Sequence, residues 1–378
     1  MIPEVKGWCP GAYRPMMSGD GLVVRVRPRL ARLTAKQVLG LCAAATRYGN
    51  GTIDLTSRAN LQLRGVSEAD HTALLEELTA QDLLDADPAL EVRRNILVTP
   101  DYDADDLTVR LARQLTVRLT DLPDLPDLPA KFGFAIDTGS ARTLVGCSAD
   151  VRLERGDCGL IVRADGATTG RRVTETEAID QVIALARWFA EAHGPQTRRM
   201  ARLLDQRNVP ESWLGAEPGP VAPPCHPGLC DAGMIYGAPF GQMNAAALAA
   251  LIRQTNATAL RVTPWRMFLL EAATTSETEA FVTTPNDPLL ASDACPGAPY
   301  CPQAQAETRA IARDLAPRVT GSLHVSGCAK GCARQRPADV TLVGRNGRFD
   351  LVKQGCAGDE PTKRALTAND LLRLGDLT

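Results

Sequence analysis

Residues 295–301 read Cys-Pro-Gly-Ala-Pro-Tyr-Cys, and residues 326–333 read Ser-Gly-Cys-Ala-Lys-Gly-Cys-Ala. They contain a C-x5-C pair and a C-x3-C pair, which are separated by 26 residues. Four thiolates on two short loops can bind the irons of a single [4Fe–4S] cluster. The sequence therefore predicts a redox protein. Its predicted metal ligands are Cys295, Cys301, Cys328 and Cys332.

Three other roles for these cysteines stay open. Structural zinc sites usually have tighter C-x2–4-C spacings. Disulfides form in oxidising compartments, and residues 1–6 show neither the basic nor the apolar region of a secretory signal. Buried free thiols are the simplest reading of most of the other seven cysteines. They explain poorly four paired cysteines set among glycines and prolines.

The composition is that of an ordinary globular protein. A chain of 378 residues allows two or three domains. The fractions of hydrophobic (44%) and charged (23%) residues are typical of soluble domains. A net charge of −2 argues against general nucleic-acid binding, and no apolar run is long enough to span a membrane. We therefore expect a cytoplasmic protein with neither a nucleic-acid nor a membrane partner.

The chain repeats itself, first as a helix followed by a strand. Residues 34–37 form a capping box, and the apolar stripe after it predicts a helix that ends near Gly49. A strand is predicted over residues 52–64. In the second copy, a helix begins at Asn244 and a strand covers residues 259–270.

A second duplication covers the module that follows each strand. Leu97–Asp101 resembles Val282–Asn286, and Ala149–Leu153 resembles Ala338–Leu342. The order of modules is therefore A–B–A′–B′. Only B′ contains the cysteine pairs, and the counterparts of Cys328 and Cys332 in B fall around residues 138–142. Two similar halves that face each other also create a cleft for a ligand.

Two connectors help to place the module boundaries. Proline at every third residue of 121–129 predicts extended chain, and the proline-rich residues 215–224 predict a linker between the halves. The predicted modules are A (1–80), B (81–213), A′ (214–277) and B′ (278–378). Residues 303–315 predict a helix that brings the two cysteine loops together. Its predicted buried stripe is Ala306, Ala310, Ile311 and Leu315.

The module order and the cysteine spacings resemble the sulfite and nitrite reductase haemoprotein superfamily over nearly the whole chain. The polar runs at residues 56–62 (Thr-Ser-Arg-Ala-Asn-Leu-Gln), 93–95 (Arg-Arg-Asn) and 128–132 (Leu-Pro-Ala-Lys-Phe) add to the resemblance. It implies an α+β fold of two ferredoxin-like half-domains and two α/β domains, related by a pseudo-twofold axis. In the reductases, the last cysteine bridges the cluster to sirohaem, and basic residues hold the anion and the tetrapyrrole carboxylates.

Within the superfamily, the chain is most similar to the precorrin-3B synthases of cobalamin biosynthesis. The runs that carry this similarity are residues 7–11 (Gly-Trp-Cys-Pro-Gly), 56–65, 263–266 (Thr-Pro-Trp-Arg) and 327–332. Departures from the reductases agree with it. Lys330 stands where they usually have asparagine, and Gly133 where a second lysine is expected after Lys131. Because reduction of a small anion needs cationic donors, the missing lysine argues against sulfite or nitrite reduction.

The resemblance implies monooxygenation of precorrin-3A to precorrin-3B, in which oxygen from O2 enters at C20 and an acetate side chain closes a lactone. NADH is the family's ultimate reductant. No glycine-rich nucleotide motif is found after a strand, so we expect a separate electron-donor protein. Sirohaem is not expected, because the substrate would occupy its cleft. The alternatives are a small sirohaem-dependent sulfite or nitrite reductase, and a non-catalytic iron–sulfur electron carrier or tetrapyrrole-binding protein.

The substrate of this family is a reduced tetrapyrrole rich in carboxylates, which the planar fork of arginine binds well. Because alternate residues of a strand share a face, Arg64 is expected to act together with Arg58. The predicted substrate-binding residues are Arg58, Asn60, Gln62, Arg64, Arg94, Asn95, Lys131, Arg261, Arg266 and Lys330. No catalytic residue is predicted.

The family is also associated with a mononuclear non-haem iron, a metal that favours two histidines and a carboxylate. The four histidines are His71, His193, His226 and His324. We interpret His226, which lies between Cys225 and Cys230, as part of a linker turn, and His324 as a packing or substrate-contacting residue. The position of this iron is not predicted.

Overall fold

A computed structural model of the protein describes residues 9–121, 128–274 and 278–374. The predictions on Gly7, Trp8 and residues 122–127 lie outside the described residues. The described chain forms four five-stranded sheets with helices packed against them. The helices are α1 (Ala35–Tyr48), α2 (His71–Ala80), α3 (Pro88–Arg93), α4 (Leu107–Asp121), α5 (Ala178–Ala192), α6 (Met200–Leu204), α7 (Ala245–Thr255), α8 (Arg309–Leu315) and α9 (Ala368–Arg373).

Two of the sheets are antiparallel and have the same strand order. Sheet 1 contains, in spatial order, β1 (Met16–Ser18), β2 (Gly21–Val26), β5 (Leu61–Val66), β4 (Thr52–Leu55) and β13 (Gln242–Asn244). Sheet 3 contains β11 (Gly228–Cys230), β12 (Gly233–Gly237), β15 (Met267–Glu271), β14 (Ala259–Val262) and β3 (Arg32–Thr34). Each half of the chain therefore gives its third strand to the sheet of the other half.

The other two sheets are mixed and also match each other. Sheet 2 contains, in spatial order, β10 (Arg171–Val173), β9 (Gly159–Ala164), β8 (Val151–Gly156), β7 (Phe134–Asp137) and β6 (Ile96–Val98). Sheet 4 contains β20 (Lys363–Leu366), β19 (Arg348–Gly355), β18 (Ala338–Arg345), β17 (Leu323–Ser326) and β16 (Ser292–Ala294). In both, the last three strands are parallel and the remaining pairs antiparallel. The predicted A–B–A′–B′ duplication is confirmed.

The helix that follows β3 begins as its sequence predicts. The Thr34 side chain accepts from the backbone of Gln37, and the Gln37 side chain accepts in return from the backbone of Thr34. In the second copy, the Asn244 side chain accepts from the backbone of Ala247. The apolar stripes of α1 and α7 are buried where the two helices pack together. This helix pair joins the two halves of the core.

Three predicted elements are wrong in detail. Residues 52–64 and 259–270 are hairpins rather than single strands, because Thr56 and Thr263 accept backbone hydrogen bonds inside tight turns. The counterpart of β6 is β16, not residues 282–286, because β6 and β16 each pair in parallel with the next strand of their sheet. Helix α8 spans only residues 309–315, and Ala312 rather than Ala310 is buried on it.

Candidate functional site

The two cysteine pairs lie on two loops at one edge of sheet 4. Cys295 directly follows β16, and Cys328 comes shortly after β17, the neighbouring parallel strand. The loops after such strands meet because both strands end at the same edge. Backbone hydrogen bonds join the loops, from Cys295 N to Val325 O (3.3 Å) and from Gln305 N to Gly327 O (2.8 Å).

The chain around the two loops is packed too closely for side chains at two glycines. A Cβ atom on Gly327 would lie 2.6 Å from the Cβ of Ala304. A Cβ on Gly297 would lie 2.6 Å from Thr308 Oγ1, and Gly297 also has a positive φ of +70°. Glycine is the residue that tolerates both conditions, so these positions set the spacing of the cysteines.

The four thiols share one electrostatic environment. Loss of hydration raises the pKa of Cys295 and of Cys332, and in both cases the nearby Cys301 and Cys328 add to the rise. The backbone N–H of Gly327 donates to the Cys295 sulfur at 3.1 Å. Thiols held together with a backbone donor on a sulfur suit a cluster, since hydrogen bonds to the sulfurs are one of the features that tune such centres.

The matching position in the first half is closed by side chains. By strand register, Thr99 and Thr143 correspond to Cys295 and Cys332, and Asp137 corresponds to Ser326. Thr143 Oγ1 donates to Thr99 Oγ1 (2.9 Å), and Leu144 N donates to Asp137 (2.7 Å). The first half therefore has a hydrogen-bonded polar cluster where the second has cysteines. The predicted counterparts of Cys328 and Cys332 fall at Gly139 and Thr143, at most one residue from the expected range.

The first cysteine loop packs against sheet 1. The carbonyl oxygen of Tyr300, which lies between Cys295 and Cys301, accepts from Ser18 Oγ (2.7 Å) and from Arg64 Nη2 (3.3 Å). Gly19 N also donates to this oxygen at 3.1 Å. The cysteine loop of one half is thus fixed on the β1–β2 turn of the other.

One face of sheet 1 is lined with polar residues next to this contact. Arg25, Gln62, Asp54 and Gln242 are cross-strand neighbours and therefore lie on the same face. Asp54 accepts from Arg309 of α8 (3.3 Å) and lies 3.5 Å from Arg64. Arg64 also pairs with Asp20 at 2.8 Å. The face combines cationic groups from both halves of the chain.

Three buried donors at this face have no hydrogen-bond partner within the described ranges. They are Nε of Arg25, Nε of Arg309 and Nδ2 of Asn60. An unsatisfied buried donor is costly, so such groups indicate an acceptor that binds there. Of the three residues, only Asn60 was predicted from the sequence. Arg25 could have been found as a charged residue inside the apolar run 22–26, whereas no local signal singles out Arg309.

Arg58 lies in the turn between β4 and β5 and not on a strand. Its guanidinium donates to Lys131 O (2.5 Å) and to Ser148 Oγ (3.1 Å), whereas Arg64 contacts Asp20 and Asp54. The expectation of a shared strand face is therefore wrong. Burial, with help from the nearby Arg199, lowers the pKa of Arg58 to about 10, so it is a cation at neutral pH. Lys131 itself is exposed.

Three other predicted residues have strong internal partners. Arg94 makes a two-pronged contact with Asp85 and donates to Arg27 O. Arg261 pairs with Glu271 and stacks over the Tyr102 ring. Asn95 donates to Phe132 O at 2.9 Å. These contacts position the surrounding backbone, and a direct contact with substrate stays a prediction for each.

The second cysteine loop contacts a cluster of charged residues. Arg266 pairs with Asp293 and donates to Ala333 O (3.2 Å), next to Cys332. Asp293 also pairs with Arg334 at 3.0 Å. Lys330 lies between the two cysteines of this loop, where its charge partly opposes the rise that burial causes in the pKa of Cys332. Arg266 thus lies beside this loop and Lys330 lies within it, and a contact of either residue with substrate stays a prediction.

His324 is fully buried on β17, and both ring nitrogens lack a hydrogen-bond partner among the described residues. Burial lowers its pKa to about 4; Asp293 opposes this shift, while Arg334 and Arg266 add to it. The ring is therefore neutral at physiological pH.

Within the described residues, no three or more His, Cys, Asp or Glu side chains converge tightly enough to hold a single metal ion. Such convergence is not required of cluster ligands, because each thiolate binds a different iron. No such ligand set for the expected mononuclear iron is found in the described part of the chain. No described helix has the length and apolar character needed to cross a membrane.

Comparisons with known proteins agree on the superfamily. Residues 14–81 match the family described as "Nitrite/Sulfite reductase ferredoxin-like half domain". The structure resembles that of the NirA protein of Mycobacterium tuberculosis, with a TM-score of 0.65 and 18% identity, over 93% of this chain and 79% of that one. A ferredoxin–nitrite reductase of Synechococcus elongatus is 25% identical, over 91% of this chain and 80% of its own.

A precorrin-3B synthase of Sinorhizobium sp. is more similar in sequence, at 34% identity. The alignment covers 98% of this chain and 88% of that protein. The duplicated α+β architecture and its pseudo-twofold arrangement are those of the sulfite and nitrite reductases. The chain belongs to the precorrin-3B synthase family within that superfamily.

Proposed function

We propose that this protein is a precorrin-3B synthase, which converts precorrin-3A to precorrin-3B. The observation that carries the proposal is the polar face of sheet 1, where the cysteine loop packs and where Arg25, Asn60 and Arg309 have unsatisfied buried donors. A carboxylate-rich tetrapyrrole supplies the acceptors that these groups need. The 34% identical relative has the corresponding name.

In the proposed reaction, one atom of O2 is inserted at C20 of the macrocycle and the other leaves as water. Two electrons, derived from NADH through a separate donor protein, and two protons, at least one of them from solvent, complete the balance. Cys295, Cys301, Cys328 and Cys332 would hold a [4Fe–4S] cluster, which supplies single electrons when bound. The chain's own residues bind and orient the substrate: Arg58 is held in place by Lys131 O and Ser148, so its fork is fixed before the substrate arrives.

The test starts with protein purified without oxygen from cells that make sirohaem. We expect the broad visible absorption of an iron–sulfur cluster without sirohaem bands, and oxygen uptake only when precorrin-3A and a reducing system are both present. Sirohaem bands with sulfite or nitrite reduction would instead support a small reductase. A cluster with neither activity would support an electron carrier.

Replacement of one predicted ligand tests the metal assignment directly. We expect Cys328→Ser to lose the cluster, because a serine hydroxyl is a poor iron ligand. The measurement is iron and acid-labile sulfide per chain. Cys158→Ser, which changes an exposed cysteine outside the two loops, is the matched control and should keep both. Full cluster content in Cys328→Ser would refute the assignment.

A further inference from the structure

A second cleft lies where the pseudo-twofold axis repeats the turn that contains Arg58. Leu55 pairs with Leu61 as Val262 pairs with Phe268, so the two hairpins correspond residue by residue. Both turns contain one residue of positive φ, Ala59 (+51°) in the first and Arg266 (+59°) in the second. By this register, Arg58 corresponds to Trp265 and Asn60 to Met267.

This second cleft has a volume of about 660 Å³. Its walls come from the loop 143–146, the linker 221–227, the 265–267 turn, residues 290–291 and Arg336. The loop 143–146 corresponds by register to the second cysteine loop. The second cleft therefore combines a turn of the second half with a loop of the first half. The symmetry counterparts of these two segments are the turn of Arg58 and the second cysteine loop.

The same positions have opposite chemistry in the two halves. Where the first half has Arg58, Asn60, Arg94 and Asn95, the second cleft has Trp265, Met267, Leu290 and Ala291. The other wall residues include Val145, Val221 and several prolines. The two copies thus share one frame, while these four positions are polar in the first copy and apolar in the second. A concave, mostly apolar site with a few polar groups is the usual form of a small-molecule site.

The polar groups at this cleft indicate that its ligand carries an anionic group. Arg336 is exposed at the rim and forms no hydrogen bond or ion pair with any part of the chain that the structure describes. His226 and Thr143 also line the cleft. Trp265 is half-buried and offers a ring for stacking. We propose that the cleft binds a flat, mainly apolar ring system that carries one anionic group.

Such a ligand differs from the proposed substrate. A single guanidinium can pair with one carboxylate, and burying further carboxylates against leucine, methionine and proline would be costly. The second cleft therefore selects against a tetrapyrrole with many acidic side chains. This inference rests on the geometry of the second cleft and does not require the proposed reaction.

The test uses the full-length protein and the fluorescent probe 8-anilinonaphthalene-1-sulfonate, which has fused rings and one sulfonate. We expect one saturable site, and about tenfold weaker binding of the uncharged analogue N-phenyl-1-naphthylamine, since a charge-assisted contact is lost. Arg336→Gln should weaken sulfonate binding by about the same factor. Arg348→Gln, at an exposed arginine elsewhere, is the matched control and should not.

A second pair of variants tests the position without disturbing the core. Val221 is 60% exposed at the cleft, and Leu229 is 67% exposed outside its lining. Val221→Trp should block the probe, whereas Leu229→Trp should not. Unchanged affinity in both Arg336→Gln and Val221→Trp would overturn the proposal. So would the absence of saturable binding, or a loss of affinity in Arg58→Gln in place of Arg336→Gln, which would assign the probe to the first half.

Discussion

At the scale of single residues, the arginines of the candidate site fall into two groups, which differ in whether all their donors already have acceptors within the protein. Arg94, Arg64 and Arg261 are already paired with Asp85, Asp20 and Glu271, so they shape the protein around the site. Arg25 and Arg309 keep an unsatisfied donor at the polar face of sheet 1. The difference between these two groups depends on neighbours far away in the sequence.

Gly133 stands where the reductases are expected to have a second lysine, and its surroundings are too tight for a side chain. A Cβ atom there would lie 2.7 Å from Asn95 Nδ2 and 3.1 Å from Asn95 O. We expect Gly133→Ala to lower the free energy of unfolding by about 1–3 kcal/mol, because the Asn95 side-chain amide, which donates to Phe132 O, must shift together with the nearby Asn95 carbonyl. Gly146→Ala, where a Cβ meets nothing within 4 Å, should change it by less than about 0.5 kcal/mol. Denaturant unfolding measures both, and equal losses would contradict the steric explanation.

His324 should make stability depend on pH. Its pKa is about 4 in the folded protein and about 6.5 in the unfolded chain, so the unfolded chain binds the proton first. The stabilisation is complete above about pH 6.5 and is lost as the pH falls towards 4, by up to about 3 kcal/mol. His324→Leu should flatten the curve of unfolding free energy over this range.

The matched control is His71→Gln, which changes a partly exposed histidine elsewhere in the chain and should keep the part of the slope that belongs to His324. Asp293, Arg334 and Arg266, the charged groups that act on His324, are unchanged in both variants. An identical slope in His324→Leu and the wild type would show that this ring does not titrate as described.

At the scale of elements, the two ferredoxin-like sheets repeat one ion pair with its charges exchanged. Arg64 on β5 lies 3.5 Å from Asp54 on β4, and the register places Glu271 on β15 and Arg261 on β14 at the same positions. Glu271 also accepts from Arg32 of the exchanged strand β3 at 2.7 Å. The two sheets therefore have an ion pair at the same two positions, with the acidic and the basic residue exchanged.

Removal of the Glu271 charge should loosen the exchanged strand. We expect Glu271→Gln to lower the free energy of unfolding by about 3 kcal/mol, because the buried Arg261 loses its counter-charge. Burial opposes the shift, but hydrogen bonds from Arg32 and Arg261 lower the pKa of Glu271, so its contribution is lost on acidification below about pH 4.5. The control is Glu360→Gln. The Glu360 side chain is 86% exposed and pairs with Arg364 at the surface, so its replacement should change the free energy of unfolding little. Denaturant unfolding at neutral pH measures both variants. Equal losses of unfolding free energy in Glu271→Gln and Glu360→Gln would contradict the prediction.

At the scale of the whole molecule, the exchange of β3 and β13 makes the two halves dependent on each other. Without β13, β4 becomes an unprotected sheet edge, and without the second half β3 has no partner strand. The cysteine loop likewise needs the β1–β2 turn as its support. The arrangement of the cysteine loop and the polar face therefore depends on both halves folding together.

We accordingly expect residues 1–213 expressed alone to be unfolded or aggregated, and to recover a folded complex when co-expressed with residues 214–378. Size-exclusion chromatography and amide hydrogen exchange at β4 are the measurements. The intact chain is the reference for full protection. A stable monomer of residues 1–213 with protected β4 amides would show that the strand exchange is not needed for folding.

The features that follow from short-range interactions could be predicted from the sequence. The cysteine spacings, the capping residues Thr34 and Asn244, and the periodic apolar stripes act over a few residues, so the duplication and the cysteine loops are readable directly. The remaining features depend on residues that are distant in the sequence and adjacent only in the fold. They are the turn that separates Arg58 from Arg64, the partners of each arginine, the strand exchange and the second cleft. A side chain's freedom to bind a ligand is set by the groups packed around it, and chain order does not contain that information.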